Sequence, residues 1–145
     1  MRLGRYFTLE EFTHSQTAVR NGWKNEPGPE AVEHLRELCL QVLDPVREGL
    51  GPVFISSGYR SFAVNQARGG ARRSQHLVGE AADIIVPGRT AQEVCSYILR
   101  RRLPFDQLIY EGTWVHVSHR KERNRGELLR AIFRQSGTDY VPFRC

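Results

Sequence analysis

Ser74-Gln75-His76-Leu77-Val78-Gly79-Glu80-Ala81-Ala82-Asp83-Ile84-Ile85 is the stretch whose reading decides this fold. Its second half, Ala81 to Val86, is an apolar run closed by Pro87-Gly88, which reads as a buried strand. Asp83 interrupts that run. A lone carboxylate is costly to bury, so an aspartate there is expected to be paired, hydrogen-bonded or metal-bound. His76 lies seven residues earlier, and Gly79 between them lets the backbone turn sharply. An imidazole on a loop and a carboxylate on the next strand then converge on one ion.

A second histidine completes the pattern further along, in Trp114-Val115-His116-Val117-Ser118. Strand alternation puts Val115 and Val117 on one face and Trp114, His116 and Ser118 on the other. If the valines face the core, His116 faces the side where a site is built. Two histidines and one carboxylate, with a fourth position left to water, form the usual ligand set of a catalytic zinc. Such an ion polarises a carbonyl and makes its water more acidic. That water also needs a general base. Glu111, at the Glu111-Gly112-Thr113 turn five residues before His116, is the candidate. Arg60, in Ser56-Ser57-Gly58-Tyr59-Arg60-Ser61, follows a strand and is placed to bind a carboxylate or a developing oxyanion.

The flanking pattern supplies the scaffold. Thr8 and Glu11 have capping-box spacing, with Phe7 and Phe12 as a hydrophobic staple, so a short helix starts there. Asn25-Glu26-Pro27-Gly28-Pro29 is a connector. Apolar residues at threes and fours from Val32 to Val46 predict a helix from Pro29 to about Gly49, loosened near Pro45. Residues 52–56 read as a strand, 61–68 as a short helix, and 90–101 as a helix with a second capping box at Thr90 and Glu93. Phe105–Tyr110 and Trp114–Ser118 read as a hairpin. Leu128–Phe133 is a helix or a strand packing on the body. Early helices and late strands predict one α+β domain over residues 1–145, with a central antiparallel sheet and flanking helices.

Composition sets the limits. The 145 residues suffice for one domain, and 40% hydrophobic with 26% charged residues excludes a disordered chain. No apolar run is long enough for a membrane span, so membrane insertion is not expected. Cys39, Cys95 and Cys145 are odd in number and widely spaced, which suits reduced thiols better than a disulfide framework. The net charge of +5 favours anionic partners. No aromatic-basic interleaving or recognition helix accompanies it, so nucleic acid is not an expected partner. The N-terminus lacks the apolar region of a signal peptide, which leads to the expectation of a protein made in the cytoplasm. A monomer is favoured.

These residues resemble the zinc D-Ala-D-Ala carboxypeptidases and phage endolysin peptidases, whose fold is shared with the Hedgehog signalling domain. The likeness runs from Phe7 to Ser118 and rests on Phe7-Thr8-Leu9-Glu10-Glu11-Phe12, Ser57-Gly58-Tyr59-Arg60-Ser61, the Ser74 to Asp83 segment, and Trp114-Val115-His116-Val117-Ser118. It implies one catalytic zinc on His76, Asp83 and His116. It also implies an arginine, Arg60, on the substrate or oxyanion. Ser74, Tyr59 and Trp114 become candidates for contacting the substrate or supporting the ligands, although Ser74 serves equally well as a turn cap. The implied substrates are peptidoglycan stem peptides, cut by a carboxypeptidase or an endopeptidase. The implied setting is a phage-type lysis enzyme acting on the cell wall after release. Several branches place the catalytic acid where this chain has Thr113; Glu111 resembles the Hedgehog-like arrangement. Some branches carry another histidine where this chain has Trp114, which suggests a stacking wall. The alternative is a zinc-containing binding module of the same fold that has lost catalysis.

Overall fold

The structure is a computed structural model that describes residues 1–143. Cys145 lies outside the described residues.

The chain enters through α1 (Leu9–Thr13) and α2 (Gln16–Asn21). The expected box is present at α1, where Thr8 N donates to Glu11 Oε2 at 2.8 Å. The staple is present too, with the Phe7 and Phe12 rings edge-to-face at 5.9 Å. The helix α2 was not foreseen. Its signals are a Ser15 cap that accepts from Ala18 N and a left-handed Gly22 at its end.

The long helix is α3 (Pro29–Leu38), a π-helical segment (Cys39–Leu43) and α4 (Asp44–Leu50) in one run. Pro45 has no N–H to give, and its ring crowds the carbonyl four residues back. The wider π turn just before it accommodates that defect, so the helix continues where a break was conceivable. Asp44, beside the proline, is buried and accepts from Arg5 N and Tyr6 N, tying the N-terminal segment to this helix.

The strands are β1 (Phe54–Ser57), β2 (Ala81–Ile85), β3 (Gln107–Tyr110), β4 (Val115–Ser118), β5 (Glu127–Arg134) and β6 (Gly137–Pro142). Between them lie α5 (Phe62–Ala67), a 3-10 turn (Gln75–Val78) and α6 (Ala91–Arg100). Both halves of the Thr90–Glu93 box form at α6. The sheet order is β1-β2-β4-β3-β5-β6. An antiparallel sheet was expected, and β3 and β4 do form the antiparallel hairpin. The sheet is nevertheless mixed, because β5 runs parallel to β3. The segment read as helix or strand is β5, and the sequence reading had no counterpart for β6.

Parallel pairing is possible because β4 and the loop after it return the chain to the start of β3. A lock fixes that return. Asp106, 0% exposed, accepts from Arg125 N (2.8 Å), Nε (3.1 Å) and Nη2 (2.6 Å), and its backbone bonds Ser118 O and Glu127 N. One residue therefore joins the start of β3, the end of β4 and the entry to β5: its backbone bonds Ser118 and Glu127, and its buried carboxylate holds Arg125.

One face of the sheet is the core. Val115 and Val117, with Ala82, Ile84 and Leu108, pack beneath Leu35, Leu38, Val42, Val46, Val94 and Ile98 of the helices. Cys39 and Cys95 are buried within it. The other face is left for the site.

Candidate metal centre

Cross-strand register assembles the centre. Ser57 pairs with Asp83, Asp83 with His116, His116 with Ile109, and Ile109 with Leu129, in one row across five strands. Since Val115 and Val117 point to the core, every member of this row points to the opposite face. Asp83 and His116 are therefore direct cross-strand neighbours, and His116 Nδ1 lies 3.1 Å from Asp83 Oδ1.

His76 arrives from the 3-10 turn. Ser74 caps that turn by accepting from His76 N at 3.2 Å, and Gly79 ends it at φ +77. A side chain on Gly79 would lie 2.4 Å from the Ala31 carbonyl oxygen, so glycine is required by space as well as by φ. His76 Nε2 comes to 3.4 Å from Asp83 Oδ1, and the two imidazole centroids are 5.1 Å apart. Ligand atoms of His76, Asp83 and His116 all lie within 4.8 Å of one another.

The donor set fits a divalent ion of the zinc type. His76 Nδ1 donates to the Gly58 carbonyl at 2.7 Å. That bond fixes the tautomer and leaves the Nε2 lone pair facing Asp83 and His116, which is how a metal-binding imidazole is prepared. Gly58 is itself packed against α1, where a Cβ would lie 2.7 Å from the Phe12 backbone, so glycine is required to keep this carbonyl in place. Burial, with His76 3% exposed, pushes its pKa down and keeps it neutral, the form that ligates. Asp83 is 8% exposed, and burial alone would raise it. The facing His76 and His116 outweigh that and hold it well below the usual carboxylate range. Nitrogen, nitrogen and carboxylate oxygen, converging with one side open to a cleft, match an open zinc site.

Arg60 stands beside the ligands. Its Nη2 is 3.4 Å from Asp83 Oδ2, its Nη1 donates to Asn65 Oδ1 at 3.3 Å and its Nε to Ser57 Oγ at 3.0 Å. Its backbone N donates to His76 O, so the arginine loop and the histidine turn are stitched together. Asn65 is itself buried and held by the Ala71 carbonyl. Asn25 holds the same loop from behind, bonding Thr13 O, Tyr59 O and Ser61 N.

Glu111 sits across the cleft. Trp114 Nε1 donates to its Oε2 at 2.8 Å, and the turn between them is closed by Glu111 N bonding Trp114 O. Burial, and then the Asp83 charge, raise the Glu111 pKa. A carboxyl with its pKa raised in this way is better suited to exchange a proton than an ordinary surface glutamate.

The cleft measures about 520 Å³ and brings together Arg60, Ser74, His76, Asp83, Glu111, Trp114 and His116. Arg68 and Arg73 line it as well. Tyr59 does not; its ring packs against the core beside Phe12, whose carbonyl accepts from Tyr59 N. His34 and His119 bond or pack elsewhere: His34 Nδ1 bonds Val78 O, and His119 is buried behind the sheet end, with its N on Glu80 O. Sequence reasoning missed Ser57 and Asn65, which aim Arg60, and Asn25. It also missed Ile109, Leu129 and Tyr140 of the cleft lining.

The peptidase M15 family model matches residues 5–118. The chain belongs to the M15 family, that of the zinc D-Ala-D-Ala carboxypeptidases. The match holds Arg60, all three converging ligands and Glu111, and ends with β4. Strands β5 and β6 lie beyond it. Comparison with curated proteins gives no match.

Proposed function

We propose that this M15 peptidase is a zinc enzyme that hydrolyses peptidoglycan stem peptides, as a D,D-carboxypeptidase or an endopeptidase of the phage lysis type. The observation that carries it is the convergence of His76, Asp83 and His116, with a tautomer-fixing bond to His76 and an arginine and a raised glutamate on either side.

A zinc ion on these three residues supplies a Lewis acid for the scissile carbonyl and lowers the pKa of water. The chain supplies the rest. Glu111 accepts the proton of the attacking water and returns it to the leaving amine. Arg60, fixed by Ser57 and Asn65, offers its guanidinium to the oxygen on which negative charge develops. Asn65 and Ser57 take up the arginine's other donors, so its direction is set before substrate arrives. Trp114 holds Glu111 through its indole N–H and presents a flat apolar wall to the substrate. Four arginines line the cleft, at 60, 68, 73 and 125. A peptide rich in carboxylates, as stem peptides are, is the substrate such a rim attracts. No helix among the described residues is long and apolar enough to cross a membrane.

The test is a digest of purified peptidoglycan with and without chelator, read by mass spectrometry. Chelator-sensitive release of D-Ala supports a carboxypeptidase, and loss of cross-linked fragments supports an endopeptidase. Bound zinc with no cleavage of any wall peptide would instead support the binding-module alternative.

A further inference from the structure

The hairpin β5–β6 lies outside the region that matches the family, yet it builds one wall of the cleft. Its register shows how. Leu129 continues the row of Asp83, His116 and Ile109 and lines the cleft, and Ala131, two residues on, lies on the same side of the sheet. Ala131 pairs with Tyr140 on β6, which puts Tyr140 on the cleft face as well. Because β5 runs parallel to β3, the step from Leu129 to Ala131 goes the same way as the step from Ile109 to Glu111. Tyr140 therefore stands level with Glu111, two strands across. The wall is closed at its tip, where the Phe133 ring lies 6.0 Å from the Trp114 ring.

Tyr140 lines the cleft and is 53% exposed, so it is open to a bound substrate and not packed away. Burial, followed by the Glu111 and Asp83 charges, raises its phenol pKa, while Arg60 acts in the opposite sense. The hydroxyl thus lies within electrostatic reach of Glu111, Asp83 and Arg60 and stays protonated, a donor, at neutral pH.

Given the peptidase reading above, on which this rests, we propose that Tyr140 is a catalytic residue contributed by the β5–β6 hairpin. Its hydroxyl donates a hydrogen bond to the scissile carbonyl oxygen as that oxygen becomes negative, sharing the role with Arg60. The phenol keeps its proton throughout, so no bond to it forms or breaks.

The test uses the full chain loaded with zinc and a stem peptide that the wild type cleaves. Tyr140→Phe removes only the hydroxyl and keeps the ring in the wall. The expected result is a kcat lower by about 10- to 100-fold with KM nearly unchanged, because the bond strengthens only in the transition state. Zinc content and Tm stay at wild-type values. Affinity for a phosphinate analogue of the stem peptide, measured by calorimetry, falls by a similar factor, whereas affinity for the cleaved product does not. Unchanged kcat and unchanged phosphinate affinity, or a loss in KM alone, would overturn the proposal. A wild type that binds zinc and cleaves no peptide would show that the peptidase reading itself fails, and this inference with it.

Discussion

The floor of the cleft and its outer wall are written in different ways. The floor is made by Asp83 and His116 on adjacent strands and by His76 on a tight turn, all inside the family match. Each of its residues is forced by local chemistry: an aspartate in an apolar strand, a glycine that must be left-handed, a histidine between two core valines. The wall is made by Leu129 and Tyr140 on a hairpin beyond that match, with the Phe133 ring beside Trp114 at its tip. Nothing local forces them, and they belong to the cleft only through the register of strands distant in sequence. The part of the cleft that matches the family thus sits on β1 to β4, while the hairpin beyond the match adds a wall to it.

Breaking the floor should have the largest effect. His76→Ala or Asp83→Asn should take hydrolysis to background and remove bound zinc, since either leaves two ligands for the ion. Metal analysis of the purified variants checks this directly; a variant with full zinc and full activity would remove that residue from the centre. Glu111→Gln should leave zinc in place and lower kcat by about 10²- to 10⁴-fold. Arg60→Ala should cost about 10²- to 10³-fold, and Arg60→Lys should recover little, because lysine cannot bond Ser57, Asn65 and Asp83 together. Single-turnover rates separate these losses from weakened binding.

The pH profile sharpens the contrast between the two sides of the centre. In the proposed mechanism Glu111 acts as a base only when ionised, and burial raises its pKa above the ordinary 4.5. Activity should therefore fall as pH drops through that raised value, with the acid limb of kcat/KM lying above 4.5. That limb should vanish from the residual activity of Glu111→Gln.

The wall depends on its anchor. Asp106 is fully buried; burial would raise its pKa, but the bonds from Arg125 dominate and hold it below 3.8. A depressed folded-state pKa stabilises the protein above the unfolded value and loses that contribution as pH falls through the folded one. Asp106→Asn should destabilise by about 1–3 kcal/mol, discounted because Arg125 is half exposed. The difference from wild type should shrink on acidification, as denaturant melts across the acid range will show. Hydrogen exchange should place the added opening in β5 and β6, with the floor unaffected.

Much of the floor could be read from the amino acids alone. Asp83 betrays itself because a carboxylate in Ala81–Ile85 is unaffordable without partners, and both capping boxes are visible as spacing. Arg60 was visible, but not its hold on Asn65, since an asparagine on a short helix shows no sign of facing an arginine. Tyr59 sits one residue from Arg60, yet its ring packs on the core, a direction that sequence neighbourhood alone does not set. The parallel β3–β5 pairing was hidden because its cause is the Asp106–Arg125 lock, nineteen residues apart in sequence. Tyr140 was hidden for the related reason that its face is set by pairing across β3, β5 and β6.

We propose that His76, Asp83 and His116 hold the zinc with which the protein hydrolyses wall peptides. The most direct measurement follows one sample through zinc content and stem-peptide cleavage, as purified, after chelation and after zinc is restored. About one zinc per chain, with cleavage lost and regained in step with the metal, is the result predicted. Cleavage that persists after the zinc is gone, or a purified protein that takes up no zinc, would contradict it.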